Sequence, residues 1–579
     1  MDRKEILYTD LYEAFEPKSQ MTLSDEPKKW QVVPYETESF SGNLLISAWS
    51  SSTGTLTLDP KLSGWYKIML IFPDYKASDL YIKLSGDDAF SFRNSPASRA
   101  DTMSEVFYRC ADMTGQSLMI TTEGKRERYA HIAGVRFVPM SDEDVKAYKE
   151  SISDPNNKRM YVCDDMNNHP FRNKMLTPED WYEVVAMYDN SDVEWISPEL
   201  FEFDAWYVPS HYSVANNGYT YYDALKKVTQ KAHEKGIKIA PCIRMGAWGI
   251  GYPYCLDKMG DEFADAHPDM RCVDRNGDIT SAMSYAYPEV RRHRIDQLLK
   301  MARCGADAVS LAACRGVPFV LFEKPVADEF YSLYGEYPYE LPLDDERLNK
   351  LHCEIMTRLF RELREALDNE FGKNKVQIHL VGLHTVDANS YVGLDVEKLA
   401  GEGVLDAILP HPRRIYEEYD PSFITVGDEP RIDLDKYTEY VKQNSGMAFV
   451  DASVFPRPTS KGTLVGPASD EENCRQWAEL SKKCGIEAYP DFGMVGGYDG
   501  TNEGVRKMAE KAYGWGIEKF SLWNAHTYNT YGLWDMIYGV IGHKDTISEI
   551  PAYPYGYEVH RVLSYYGERI SRFQPIWGG

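Results

Sequence analysis

The sequence is short of positive charge, of paired cysteines and of long apolar runs, and each shortage closes off a class of protein. Lysine and arginine total 64 against 89 aspartates and glutamates, a formal charge of −25. A polyphosphate partner would meet net repulsion, so nucleic acid is not expected. No stretch approaches the roughly 18 uninterrupted apolar residues of a membrane span, and the opening MDRKEILYTDLYEAF has no apolar signal core. The expectation is a cytoplasmic protein with no membrane partner. Ten cysteines are scattered without a CxxC pair, which fits free buried thiols better than a disulfide framework or a zinc site. GxGxxG after a strand, GxxxxGK[ST], GxSxG and HExxH are also missing, so no metal and no cofactor is expected.

What is abundant is aromatic. The 41 tyrosines and 12 tryptophans in 579 residues exceed what a core requires. Rings that are apolar on the face and polar at the edge suit stacking on sugars, and they equally suit the surface of a large acidic enzyme. The length predicts several domains, or one large barrel with an accessory unit.

Residues 1–145 carry short alternating runs at 44–48, 55–58, 66–72, 80–84, 118–122 and 132–138, separated by Ser, Gly, Asp and Pro. This pattern predicts an all-β sandwich domain. Such a domain either binds carbohydrate and shapes one wall of a cleft, or simply caps a neighbour. Ser141 reads as the N-cap of a helix over 142–151 with acidic residues in its first turn, and 146–158 as the linker.

From 159 to 550 the pattern becomes strand, loop, helix, repeated. Strands are predicted at 159–163, 193–196, 237–243, 306–313, 376–382, 404–409 and 447–450, with two later runs at 486–489 and 517–523. A closed parallel barrel has eight strands, so one of the last three is an extra piece, and the run 486–489 is the one expected outside. Alternation of this kind leaves a barrel or a doubly wound sheet. Polar residues at almost every strand exit favour the (β/α)8 TIM barrel. The tyrosine-rich tail 551–579 is expected to pack on the barrel or on a neighbouring copy, which leaves a homo-oligomer open.

Five segments, AHEKGIKIAPCIR (232–244), AHPDMRCVDRNGD with AYPEVRRHRIDQLL (266–299), GADAVSLAACRGVPF (305–319), GLDVEKLAGEGVLDAIL (393–409) and GIEKFSLWN (516–524), are similar in order and spacing to the family-10-like glycoside hydrolases over about residues 158–530. The resemblance implies a (β/α)8 barrel acting on glycosidic bonds of a carbohydrate substrate. Members of that group usually carry a strand-four pattern resembling DGIHLDYIR. Asp307 would match its first Asp and Arg315 its closing Arg, while the second Asp falls on Ala312. The usual strand-four carboxylate therefore does not carry over.

Glycoside hydrolysis ordinarily needs two carboxyl groups, one of them protonated. The candidate catalytic residues are Glu323, Asp451, Asp164 and Asp491, each just beyond a predicted strand. Glu323 leads because it follows strand four in a proline-bracketed loop near Arg315, where partial desolvation would raise its pKa. Asp164 and Asp165 are adjacent, and neighbours on a strand face opposite ways, so only one is expected to enter the cleft. Candidate substrate-binding residues are Arg315, Arg244, Asp165, Glu199, Glu202, His384, Trp206, Trp523, Asn524 and His526. Each charged residue among them has an ordinary alternative as a salt-bridge or capping partner. Arg315 is expected to point into the cleft and pair with Glu323 or with substrate. The function expected is a glycosidase. A non-hydrolytic sugar-binding barrel and a metal-assisted sugar-acid lyase or isomerase are the alternatives.

Overall fold

The computed structural model describes the chain outside residues 1–3, 48–52, 74–77, 95–101, 125–129, 201–213, 249–260, 413–469, 496–500, 524–533, 550–558 and 566–579, and a few shorter stretches such as 315–317. The barrel strands are β1 (Met160–Asp165), β2 (Val193–Glu199), β3 in two segments (Lys238–Ile239 and Cys242–Arg244), β4 (Ala308–Ala312), β5 (Gln377–Gly382), β6 (Ala407–Pro410), β7 (Glu487–Ala488) and β8 (Phe520–Leu522). All neighbouring pairs run parallel, from β8 beside β1 round to β7 beside β6. A parallel bridge between Asp491 and Ser521 closes the ring between β7 and β8. The protein is thus a (β/α)8 barrel, the arrangement predicted from the alternation of strands and helices.

The seventh strand corrects the sequence reading. The run 486–489, expected outside the barrel, supplies β7, whose Ala407↔Glu487 and Ile408↔Ala488 pairs place it beside β6. The competing run 447–450 lies outside the described residues. A two-residue ladder is too short to announce itself as a strand; Tyr489 and Asp491, just past it, are both buried.

Helices form where the sequence caps them. Thr220 accepts from the Asp223 backbone while Asp223 returns the bond, which starts the helix Tyr221–Glu234. Gly236, at φ 71°, supplies the left-handed turn into β3. The helix after β4 begins at Lys324 with Glu323 at its N-cap. The longest helix among the described residues, Glu346–Phe371, has 26 residues and leads into β5.

Before the barrel lie two sheets, antiparallel except where Met21–Thr22 pairs parallel with the strand 30–37. The larger runs in the order 6–8, 134–139, 65–73, 102–112, 559–565, 30–37, 41–46, 131–132, and the smaller in the order 56–58, 118–121, 79–84, 91–94. They bury a shared core in which Leu80, Ile82, Leu118 and Ile120 of the small sheet meet Ile68, Leu70, Val106 and Val135 of the large one. The expected helix forms over Asp142–Ser153 with a Ser141–Asp144 capping box. The tail, expected on the barrel or a neighbour, instead sends the strand Val559–Tyr565 into the N-terminal sheet between 30–37 and 102–112. The β-rich region also grips the barrel's flank: the Arg93 guanidinium stacks 3.9 Å over the Trp534 ring, and Lys231 reaches Asp88 at 2.6 Å.

Candidate active site

Period-two alternation decides what enters the barrel. On β1 the series Tyr161, Cys163, Asp165 points inward, and on β2 so does Trp195, Ser197, Glu199. The lower lumen is packed with rings. Tyr161 stacks on Trp195 at 5.9 Å, meets Tyr489 at 5.1 Å, and its hydroxyl lies 3.1 Å from His379 Nδ1. Burial pushes the His379 pKa down to about 3, so this ring is neutral. At the bottom, Glu194 meets Lys519 at 2.9 Å and Lys238 at 3.0 Å. The rings separate that charge cluster from the one at the C-terminal mouth, where barrels of this class place their chemistry.

At the mouth three charged side chains from three successive strands converge. Asp165 on β1 and Glu199 on β2 are register partners, and both turn towards Arg244 on β3. Arg244 Nε forms an ion pair with Glu199 Oε1, and Nη2 lies 3.9 Å from Asp165 Oδ2. Burial opposes the charge on Arg244, but Glu199 and Asp165 outweigh it and raise the proton affinity of the guanidinium. Glu199 is 1% exposed, so its negative charge is sustained by that arginine. Across β3, Arg244 pairs in register with Ala312 of β4. The small residues Ala312 and Cys314, both buried, line the side of the mouth next to the guanidinium.

The other predicted residues take different places. Asp164 faces away from the lumen, as alternation requires: its Oδ2 is 2.9 Å from His169 Nε2, and the His169 ring packs 5.3 Å from Trp181. Asp491, past β7, accepts from the backbone N–H of Gly493 at 2.8 Å and of Trp523 at 3.0 Å, stitching the β7 exit to the β8 exit. Burial, opposed by those N–H groups, pushes its pKa up to about 6. Trp523 meets His411 of the β6 exit edge to face at 5.3 Å. His384, past β5, lies 3.5 Å from Asp470, and its carbonyl accepts from the Trp477 indole.

Glu323 stands apart from the Arg244 group. It accepts from Ser284 Oγ, from the Leu321 N–H and from the Val273 N–H at 3.3 Å. Ser284 and Val273 belong to the long excursion after β3, whose antiparallel hairpin pairs Arg271–Val273 with Ile279–Met283. Glu323 thus ties that excursion to the β4 loop. Burial pushes its pKa up to about 7 against those hydrogen bonds. Arg315, Asp451, Glu202, Trp206, Asn524 and His526 lie outside the described residues. Sequence reasoning passed over the ring-filled lumen and Ser284; the alternation of Tyr161, Cys163 and Asp165 was the signal for the first, and no local pattern marks the second.

Fold and mouth together define a (β/α)8 barrel whose C-terminal opening carries an arginine shared by two carboxylates. No protein-family model matches the chain, and no curated protein gives a match. Among solved structures it resembles a GH26-CBM35 β-(1,4)-mannanase from Podospora anserina, at 11% identity over 92% of this chain and 96% of that one, with a TM-score of 0.30. It also resembles the catalytic domain of a β-amylase from Paenibacillus polymyxa, at 10% identity over 67% and 99% of the two chains, TM-score 0.39. The PgaB (BpsB) glycoside hydrolase domain from Bordetella bronchiseptica is similar at 10% identity over 65% and 95%, TM-score 0.36. At these scores the likenesses carry no argument about what this chain does.

Proposed function

We propose that the protein is a glycoside hydrolase working through Glu199 and Asp165. The observation that carries this reading is the convergence of two carboxylates, from register-paired positions of adjacent strands, on one arginine at the barrel mouth. Two carboxylates that reach one guanidinium are near neighbours, which fits the close spacing of a retaining pair, roughly 5–5.5 Å. Glu199, its charge balanced by Arg244, is the nucleophile. It attacks the anomeric carbon as the glycosidic bond breaks, and Asp165, farther from the guanidinium, gives its proton to the departing oxygen. Water then displaces the sugar from Glu199, returning its proton to Asp165.

The test is turnover of a panel of aryl glycosides and oligosaccharides, with product configuration read by proton NMR. Retention is expected, and Glu199→Gln should lower kcat/KM by about 10³ or more, a typical scale for losing an acid–base or nucleophilic group. No turnover on any member of the panel, or undiminished turnover by Glu199→Gln, defeats the proposal. One observation favours a second reading, a non-hydrolytic sugar-binding barrel: Ala312 stands where the family resemblance expects a carboxylate, and the mouth there is lined by small buried residues. That reading requires saturable sugar binding by calorimetry with no product formed.

A further inference from the structure

Among the described residues, five of the eight exposed large apolar side chains lie in one place. Tyr331, Leu333, Tyr334, Tyr337 and Tyr339 are 37–58% exposed and follow one another at the end of the helix Lys324–Tyr334 and in the turn beyond it. Their rings are ordered. Tyr331 stacks on Tyr337 at 4.7 Å and 27°, Tyr337 on Tyr339 at 5.9 Å and 25°, and Tyr339 leans on Phe322 at 6.4 Å and 31°. This ladder starts in solvent and ends at Phe322, the residue beside Glu323 in the β4 loop. Its steps are comparable with the length of one sugar residue.

The ladder also stands on the catalytic side of the barrel. The helix Glu346–Phe371 has 26 residues, about 39 Å at 1.5 Å per residue, whereas β5, which follows it, has six, about 20 Å. The helix runs down to the start of β5, so its first half projects past the mouth. The ladder's helix is fastened to that half by the Arg358–Glu329 pair and by Arg347 over Phe330 and Tyr334.

We infer that this tyrosine ladder binds an extended neutral polysaccharide and leads it towards the mouth. The inference rests on the glycosidase reading for its direction and makes a polymer, not a small glycoside, the substrate class. Charge argues against a polyanion: Lys324 pairs with Asp328, Glu329 with Arg358 and Glu336 with Arg347, and Arg275 at the ladder's inner end lies over the Phe322 ring and donates to the Leu341 carbonyl. Size argues against a second copy of the chain. At roughly 200 Å² of burial per ring, the four part-exposed tyrosines offer about 350 Å², well below the about 800 Å² per partner of a stable interface. Stacking has already fixed the rings, so little side-chain entropy is lost when a chain of sugars settles on them.

Affinity gel electrophoresis of the full chain in β-glucan, galactomannan, xylan and starch tests the idea without requiring catalysis. At least one neutral polymer should retard the protein, and a Tyr331→Ala, Tyr337→Ala double variant should weaken that retention about tenfold while its turnover of a small aryl glycoside stays unchanged. Tyr337→Phe, which keeps the stack, should bind as the parent does. Retardation by none of the four, or equal retardation of parent and double variant, overturns the proposal. So does a sedimentation shift from dimer to monomer in the double variant, which would make the ladder an interface between copies. If binding behaves as expected and no glycoside is cleaved, the ladder stands and the hydrolase assignment falls.

Discussion

Glu199 and Glu323 occupy the same end of the barrel and are equally buried, yet they keep opposite company. Glu199 faces a guanidinium from the next strand. Glu323 faces a hydroxyl and backbone N–H groups from two loops. A cation balances a full charge, whereas neutral donors only soften the cost of burying it, and the Glu323 carboxyl accordingly rises to about 7. Depth of burial does not identify a working carboxylate; the nature of its partner and the direction it faces do. By that measure Glu199 is the carboxylate that the proposed hydrolysis uses, while Glu323 ties the excursion after β3 to the β4 loop.

The sharpest way to break this contrast is to remove the cation. Arg244→Met leaves Glu199 buried without a counter-charge, and stability at pH 7 should fall by about 3–5 kcal/mol in urea unfolding. Most of that loss should vanish in acid, because a buried carboxyl that has lost its cation is held as the neutral acid there. An equal loss at pH 7 and in acid would mean that Arg244 contributes packing and not charge.

Glu323 should show a different dependence. Its folded pKa of about 7 lies above the ordinary 4.5, so the folded state holds the proton more tightly than the unfolded chain. The associated stability is fully present below pH 4.5 and is lost as pH rises through 7, a total on the order of 3 kcal/mol. Glu323→Gln cannot titrate, so the difference in unfolding free energy between parent and variant should change by about that amount over this window. A pH-independent difference would show that Glu323 stays charged after folding.

A smaller effect is expected at Ser284, whose hydroxyl donates to Glu323. Ser284→Ala should cost about 1–2 kcal/mol in thermal or urea melts and should leave Arg244-dependent behaviour untouched. The smallest effect belongs to Asp307, the first Asp of the strand-four resemblance. It sits at the entry end of β4, bonded to the Ile239 N–H at 2.9 Å and to His233 at 2.8 Å. Asp307→Asn should change stability by about 1 kcal/mol or less and leave turnover unaltered, because the residue lies at the end of the barrel away from the mouth.

Much of this was legible in the residues. A cap such as Ser141 marks a helix, and the alternation of helices with strands ending in polar residues marks a barrel, before any coordinates exist. The rule that neighbours on a strand face opposite ways predicted that only one of Asp164 and Asp165 would enter the cleft but not which: Asp164, the catalytic candidate, turns outward to His169, and Asp165 enters the mouth. The shared arginine was not legible, because residues 165, 199 and 244 have no spacing that encodes proximity; it arises from the register of three parallel strands. β7 escaped because two paired residues carry little pattern. The raised pKa expected for Glu323 does occur, but its partner Ser284 comes from a hairpin 39 positions earlier, a contact that only the folded excursion creates.

The strand Val559–Tyr565 gives the chain a constraint in time. It joins the two halves of the N-terminal sheet, yet about 520 residues separate Val559 from its partner strand ending at Thr37. At a synthesis rate of about 5–20 residues per second, the early strands wait roughly half a minute to nearly two minutes for the piece that unites them. Throughout that interval the facing edges of 30–37 and 102–112 are open templates for a strand from another chain. A region made before the barrel is therefore completed only after it, and its maturation is timed by the synthesis of the barrel that separates its strands.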